Sequence, residues 1–198
     1  MPLVLTLPDY LSARECRAVR EAMDGGCPEA AEMLQDDIRL DEDVRRAAHV
    51  EVDEATLTAI EARLDGVRPQ LETFFGVRLG AREGASLLRY RTGGFFRRHR
   101  DRGHVASWPP AARRLISVVL FLSSSRDNTP AGRFSGGTLD LLDDHGTLVR
   151  RVTPAAGTLI AFRSDTLHEV QPVRDGVRET VVDWFYEAGA TDGPSGSF

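Results

Sequence analysis

The segment TPAAGTLIAFRSDTLHEVQPV at residues 153–173 joins an apolar run, a short polar turn and a second apolar run that opens on a histidine. Runs this short, rich in β-branched and aromatic residues and bounded by Gly, Pro, Ser and Asp, read as strands. The same pattern continues on both sides. Upstream lie SLLRY (86–90), RLISVVLFL (114–122), GGTLDLL (136–142) and GTLVRRV (146–152); downstream lies RETVVDWFY (178–186). With GTLIAF (157–162) they predict an all-β sandwich or barrel from about residue 81 onward. DDHG (143–146) and PAAG (154–157) read as hairpin connections.

The first eighty residues have a different period. In LPDYLSARECRAVREAMDGG (7–26), Ser12 and Glu15 form a capping-box pattern and Gly25 ends the run. Leu57, Ile60, Leu64, Val67, Leu71, Phe74 and Phe75 recur at steps of mostly three and four, which predicts an amphipathic helix interrupted near Gly66 and Pro69. Residues 26–54 are acidic and weakly patterned, a helix fragment with loops. The chain thus reads as one domain: helical support over 1–80, a β barrel over 81–187 and a polar tail over 188–198.

Composition narrows the function. The 198 residues are 41% hydrophobic and 28% charged, ordinary for a soluble globular domain. No stretch approaches the roughly 18–20 apolar residues of a membrane span, and the N-terminus lacks the basic region and cleavage site of a signal peptide. Cys16 and Cys27 are too few for a disulfide framework, which predicts a reduced cytoplasmic setting. The net charge of −5 argues against a nucleic-acid partner. All 25 basic residues are arginine, so a Schiff-base lysine and a phosphate-loop lysine are excluded, and local arginine clusters carry little information.

Within FFRRHRDRGH (95–104), His99 and Asp101 share one face if the segment is extended, while Arg100 points away. An imidazole and a carboxylate side by side supply two ligands of a facial metal triad, and a second histidine is the expected third. His49 lies in the helical half and reads as a surface residue. His145 sits in a turn, and His104 in a glycine-containing loop. His168 differs, because it follows a strand and opens another. Ten residues on, Arg178 and Thr180 share a strand face, a guanidinium fork and a hydroxyl suited to clamping a carboxylate.

From Tyr90 to Phe185 the chain resembles the iron(II)/2-oxoglutarate-dependent dioxygenases, and among them the prolyl 4-hydroxylase-like group. The resemblance rests on YRTGGFFRRHRD (90–101), RRLISVVLFLS (113–123), GGTLDL (136–141), TPAAGTLIAFRSDTLHEVQPV (153–173) and GVRETVVDWF (176–185), about half of the chain. LPDYLSARECRAVREA is similar to the family's lead-in helix. The resemblance implies a mainly β fold with N-terminal helices, a double-stranded β-helix of the jelly-roll, cupin-like kind. It implies that His99, Asp101 and His168 ligate Fe(II), and that Arg178 binds the distal carboxylate of 2-oxoglutarate with Thr180, Tyr90 and Ser117 nearby. The implied reaction uses O2, releases succinate and CO2 and hydroxylates an aliphatic C–H, with ascorbate as an optional reductant.

Two positions depart from the family's pattern. Phe121 stands where many prolyl hydroxylases carry a tyrosine or lysine that assists the arginine, and Phe96 stands where a tyrosine is frequent. Tyr90, Ser117 and Thr180 are the residues left to supply those hydrogen bonds. Substrate contacts are expected from Trp108, Phe96 and Arg114, with loops 101–112 and 123–135 as lids at the barrel mouth. A peptidyl proline, a free amino acid or a small metabolite would suit, with a small molecule or short peptide favoured. The competing readings are a zinc hydrolase on the same three ligands, in which Arg178 would be idle, and a non-catalytic cupin-like binding protein.

Overall fold

The computed structural model describes residues 4–26, 44–103 and 109–189. In chain order the elements are β1 (Val4–Leu7), α1 (Ala13–Gly25), β2 (Arg45–Arg46), β3 (Ala48–His49), α2 (Glu54–Gly66), α3 (Arg68–Phe75), β4 (Leu79–Arg82), β5 (Ser86–Tyr90) and β6 (Phe95–His99). A 3-10 turn at Pro109–Arg113 leads into β7 (Arg114–Phe121). Then come β8 (Phe134–Gly136), β9 (Leu139–Leu142), β10 (Leu148–Val152), β11 (Leu159–Arg163), β12 (His168–Val170), β13 (Val173–Gly176) and β14 (Arg178–Glu187).

Period-two alternation decides what each strand buries. On the seven-stranded sheet, ordered β1-β11-β7-β14-β5-β3 with β4 also paired to β14, one face carries Leu87, Val118, Leu120, Leu159, Ala161 and Val181. These pack against Cys16, Val19 and Met23 of α1, Ile60 and Leu64 of α2 and Leu71 of α3. The other face carries Leu88, Tyr90, Phe121, Ile160 and Phe162, which meet Leu139, Leu141 and Val170 of the five-stranded sheet β10-β9-β12-β6-β2. Two antiparallel sheets enclosing an apolar layer, with helices on one outer face, form a jelly roll with N-terminal support. Each fully buried Leu or Phe here contributes about 1.5–3 kcal/mol.

The helical half follows its capping signals. The Ser12 hydroxyl accepts from Glu15 N while Glu15 accepts from Ser12 N, and Asp53 caps α2 through Thr56 N. The predicted interruption falls at Val67, where α2 ends and α3 begins with a proline in its first turn.

Three expectations change. Residues 1–80 are not only helical support, because β1 extends the large sheet beside β11, and β2 and β3 add edge strands beside β6 and β5. PAAG (154–157) is not a hairpin, since β10 and β11 lie in different sheets and the segment carries the chain between them. Gly157 has φ +84, and a Cβ there would stand 2.2 Å from Leu11 O, so the crossover needs glycine. His49 is half-buried on β3 rather than at the surface, and burial together with the Arg45 charge pushes its pKa down to about 4. No helix among the described residues is long and apolar enough to cross a membrane.

Candidate metal and anion site

The antiparallel pair β6–β12 brings His99 opposite His168 in register, with ring centres 4.1 Å apart. Asp101 lies two residues beyond His99, just past the end of β6. The ligand atoms of the three residues all lie within 4.8 Å of one another. His99 Nε2 is 3.5 Å from Asp101 Oδ1, and His168 Nε2 is 3.6 Å from Asp101 Oδ2.

The surroundings fix which imidazole nitrogens are available. His99 Nδ1 is 2.7 Å from Arg97 O, and His168 Nδ1 is 2.9 Å from Thr166 O. A carbonyl only accepts, so each Nδ1 carries the proton and each Nε2 presents a lone pair towards Asp101. Burial pushes the His168 pKa down to about 4, so its ring is neutral at pH 7. Burial alone would raise the Asp101 pKa. The positive charge of the neighbouring imidazoles when they are protonated, together with the Ser117 hydroxyl, outweighs it and holds the carboxyl far below its usual range. Two imidazoles and one carboxylate with their ligand atoms this close form the donor set that divalent iron accepts.

Packing holds these groups still. Phe96 stacks on His99 at 3.5 Å between ring centres, and Phe162 meets His168 edge-on at 4.9 Å. Ser117 Oγ donates to Asp101 Oδ2 at 2.6 Å and is itself 2.9 Å from Ser164 Oγ. Ser117 therefore supports Asp101 and does not line the cavity. Arg114 donates to Asp101 O at 3.3 Å, is fixed by Glu83, and lies 3.7 Å over the Trp184 ring. Arg98, Arg100 and Arg102 pair with Glu169, Asp144 and Glu187.

The same cavity is also lined by a cationic group. Arg178 begins β14, faces inward and is 2% exposed, with its guanidinium 4.8 Å from the Tyr90 ring and 5.5 Å from the Phe121 ring. Burial lowers its pKa, partly offset by the Tyr90 hydroxyl beside it. Arg178 Nε and Thr180 Oγ1 are buried without a hydrogen-bond partner. Leaving such donors unmet costs about 1–3 kcal/mol each, more for a charged group, so the pair could hold an anion. Gly137 (φ +61) lets the turn between β8 and β9 approach the arginine, since a Cβ there would lie 3.0 Å from Arg178 Cδ.

Trp184 and Arg45, which the sequence reading did not single out, also line the cavity. Trp184 was legible, because it is the fourth residue of the inward series 178, 180, 182, 184 on β14. Arg45 stands on a two-residue strand after an acidic segment and gave no such signal. Trp108 and His104 lie outside the described residues. Loop 123–135 is pinned by Asp127 to Arg174 and by Arg126 to Asp175, and none of its residues lines the cavity.

A jelly roll whose interior cavity is lined by two histidines, a carboxylate and a buried arginine defines a class of metal-dependent oxygenase folds. The chain belongs to the 2OG-Fe(II) oxygenase superfamily, whose family model matches residues 85–186. It is 36% identical over 108 residues to a PKHD-type hydroxylase of Cupriavidus metallidurans, covering 53% of this chain and 43% of that one. Over 108 residues it is 33% identical to a PKHD-type hydroxylase of Methylobacterium nodulans, covering 53% and 44%. The chain thus spans less than half the length of these curated relatives. Among solved structures, a Pseudomonas putida prolyl-4-hydroxylase is 25% identical with a TM-score of 0.67, covering 96% of this chain and 95% of that one. A prolyl hydroxylase from Trichoplax adhaerens, solved with a hypoxia inducible factor peptide, shares the fold at a TM-score of 0.69 and 16% identity, covering 94% and 84%.

Proposed function

We propose that this chain is an Fe(II)- and 2-oxoglutarate-dependent hydroxylase acting on an aliphatic C–H of a prolyl residue, an amino acid or a small metabolite. The observation that carries the reading is Arg178, a buried guanidinium with an unmet donor in the same cavity as the His99–Asp101–His168 trio. A zinc hydrolase would leave that cation without a use.

In this reading His99 Nε2, Asp101 and His168 Nε2 hold the iron. Iron held there would supply the chemistry by which O2 oxidises 2-oxoglutarate to succinate and CO2, with one oxygen atom entering the substrate C–H. The protein's own contribution is positioning and charge. Arg178 and Thr180 hold the distal carboxylate and satisfy their stranded donors as they do so. Tyr90 and Phe121 form the apolar floor that keeps water from that ion pair. The free thiol of buried Cys16 supports a reduced, cytoplasmic setting.

Anaerobic addition of Fe(II) and 2-oxoglutarate is expected to give a weak visible charge-transfer band, followed by succinate on admission of O2. Tight zinc binding without that band would overturn the assignment.

A further inference from the structure

Among the described residues, all charges of the proposed loaded site but one have a counterpart. The exception is Arg45. It lies on β2, the outermost strand of the five-stranded sheet, in register with Phe96 of β6. Its side chain lines the cavity together with Phe96 and His99. The guanidinium carbon is 4.9 Å from the Phe96 ring centre, and that ring is stacked on His99, so Arg45 is two stacking contacts from the metal-binding trio. Its Nε is buried with no hydrogen-bond partner, and among the described residues no carboxylate pairs with it. The unbalanced charge is felt nearby, since Arg45 adds to the burial that keeps His49 neutral.

The charge count is the argument, and it rests on the function proposed above. A divalent cation and Arg178 bring three positive charges. Asp101 brings one negative charge and 2-oxoglutarate two, while the histidines are neutral. The loaded cavity is therefore balanced before Arg45 is counted. An uncompensated cation in a part-buried cavity is costly, and one further negative charge removes the cost. The Phe96 face beneath the guanidinium leaves its N–H groups, which lie in the guanidinium plane, free for a forked contact, the geometry that a carboxylate accepts.

We infer that Arg45 anchors the substrate and that this substrate is a small monocarboxylic acid of net charge −1. A prolyl residue within a polypeptide carries no carboxylate of its own, so this reading favours the small-acid class over the peptide class.

The test uses the full chain loaded anaerobically with Fe(II) and 2-oxoglutarate, with propionate and propionamide as probes and saturation-transfer NMR as the readout. Propionate is expected to bind the wild type, propionamide to bind at least ten-fold more weakly, and Arg45→Gln to abolish the difference. Arg45→Lys, which keeps the charge and loses the fork, is expected to restore part of it, and circular dichroism shows whether each variant is folded. Equal binding of the two probes to the wild type, or a preference that survives in Arg45→Gln, would overturn the inference. So would loss of the visible band in Arg45→Gln, because Arg45 would then serve 2-oxoglutarate. Absence of that band in the wild type would instead remove the functional reading on which the inference rests.

Discussion

His168 faces His99 across an antiparallel strand pair, and the Nδ1 of each is bound to the carbonyl of the residue two positions before it. One backbone device, used twice, turns both Nε2 lone pairs towards Asp101. The site is therefore set by sheet register as much as by residue identity. His168→Ala, His99→Ala or Asp101→Ala is expected to reduce Fe(II) affinity by about 100-fold or more, beyond the 10–100-fold typical of a lost supporting group. Equilibrium dialysis measures this, and an unchanged circular dichroism spectrum shows that the fold persists.

Ser117 reaches Asp101 Oδ2 from β7 and completes a short chain with Ser164. Removing the hydroxyl frees the carboxylate to rotate without changing the donor set. Ser117→Ala is expected to weaken Fe(II) binding by about 10–100-fold. The 2-oxoglutarate requirement at saturating iron should stay within a few-fold of wild type. A change in that requirement with iron affinity intact would instead place Ser117 on the cosubstrate.

Arg178 supports a prediction of opposite sign in two states. Without 2-oxoglutarate its buried guanidinium has an unmet donor, so Arg178→Met is expected to leave stability unchanged or raise it by about 1–4 kcal/mol. With iron and saturating 2-oxoglutarate, thermal melting should show the wild type gaining stability and the variant failing to gain it. Fe(II) affinity itself should be retained in the variant.

The legible parts of this molecule are those governed by local period. The strand runs, the capping box at Ser12 and the inward placement of His99 and Asp101 follow from spacing, and Arg178 with Thr180 follows from alternation on β14. His168 was identifiable because a histidine between two strand-like runs has little reason to be there otherwise. What local pattern could not convey was pairing across long separations. Arg45 reaches the cavity only because two residues of an acidic segment dock beside β6, and Ser117 was assigned to the cosubstrate because its contact with Asp101 arises from sheet stacking. The PAAG crossover was misread for a related reason, since a turn sequence does not say which sheet the next strand joins.

His49 supplies a pH dependence separate from the His99–Asp101–His168 trio. Burial beside Leu88 on the neighbouring strand, reinforced by the Arg45 charge, lowers its pKa from 6.5 to about 4. Between those values the unfolded chain takes up a proton that the folded chain refuses, so this contribution to stability falls as pH drops from 6.5 towards 4 and is fully present above 6.5. His49→Gln removes that proton-binding difference. Urea unfolding at pH 7 and pH 4.5 should show the wild type losing about 1–2 kcal/mol more than the variant, screening of the part-exposed ring limiting the effect. Because Arg45 adds to the shift, Arg45→Gln should raise the His49 pKa, followed by its ring proton resonance, and narrow the pH window. An unchanged His49 titration in that variant would show that burial alone keeps the ring neutral.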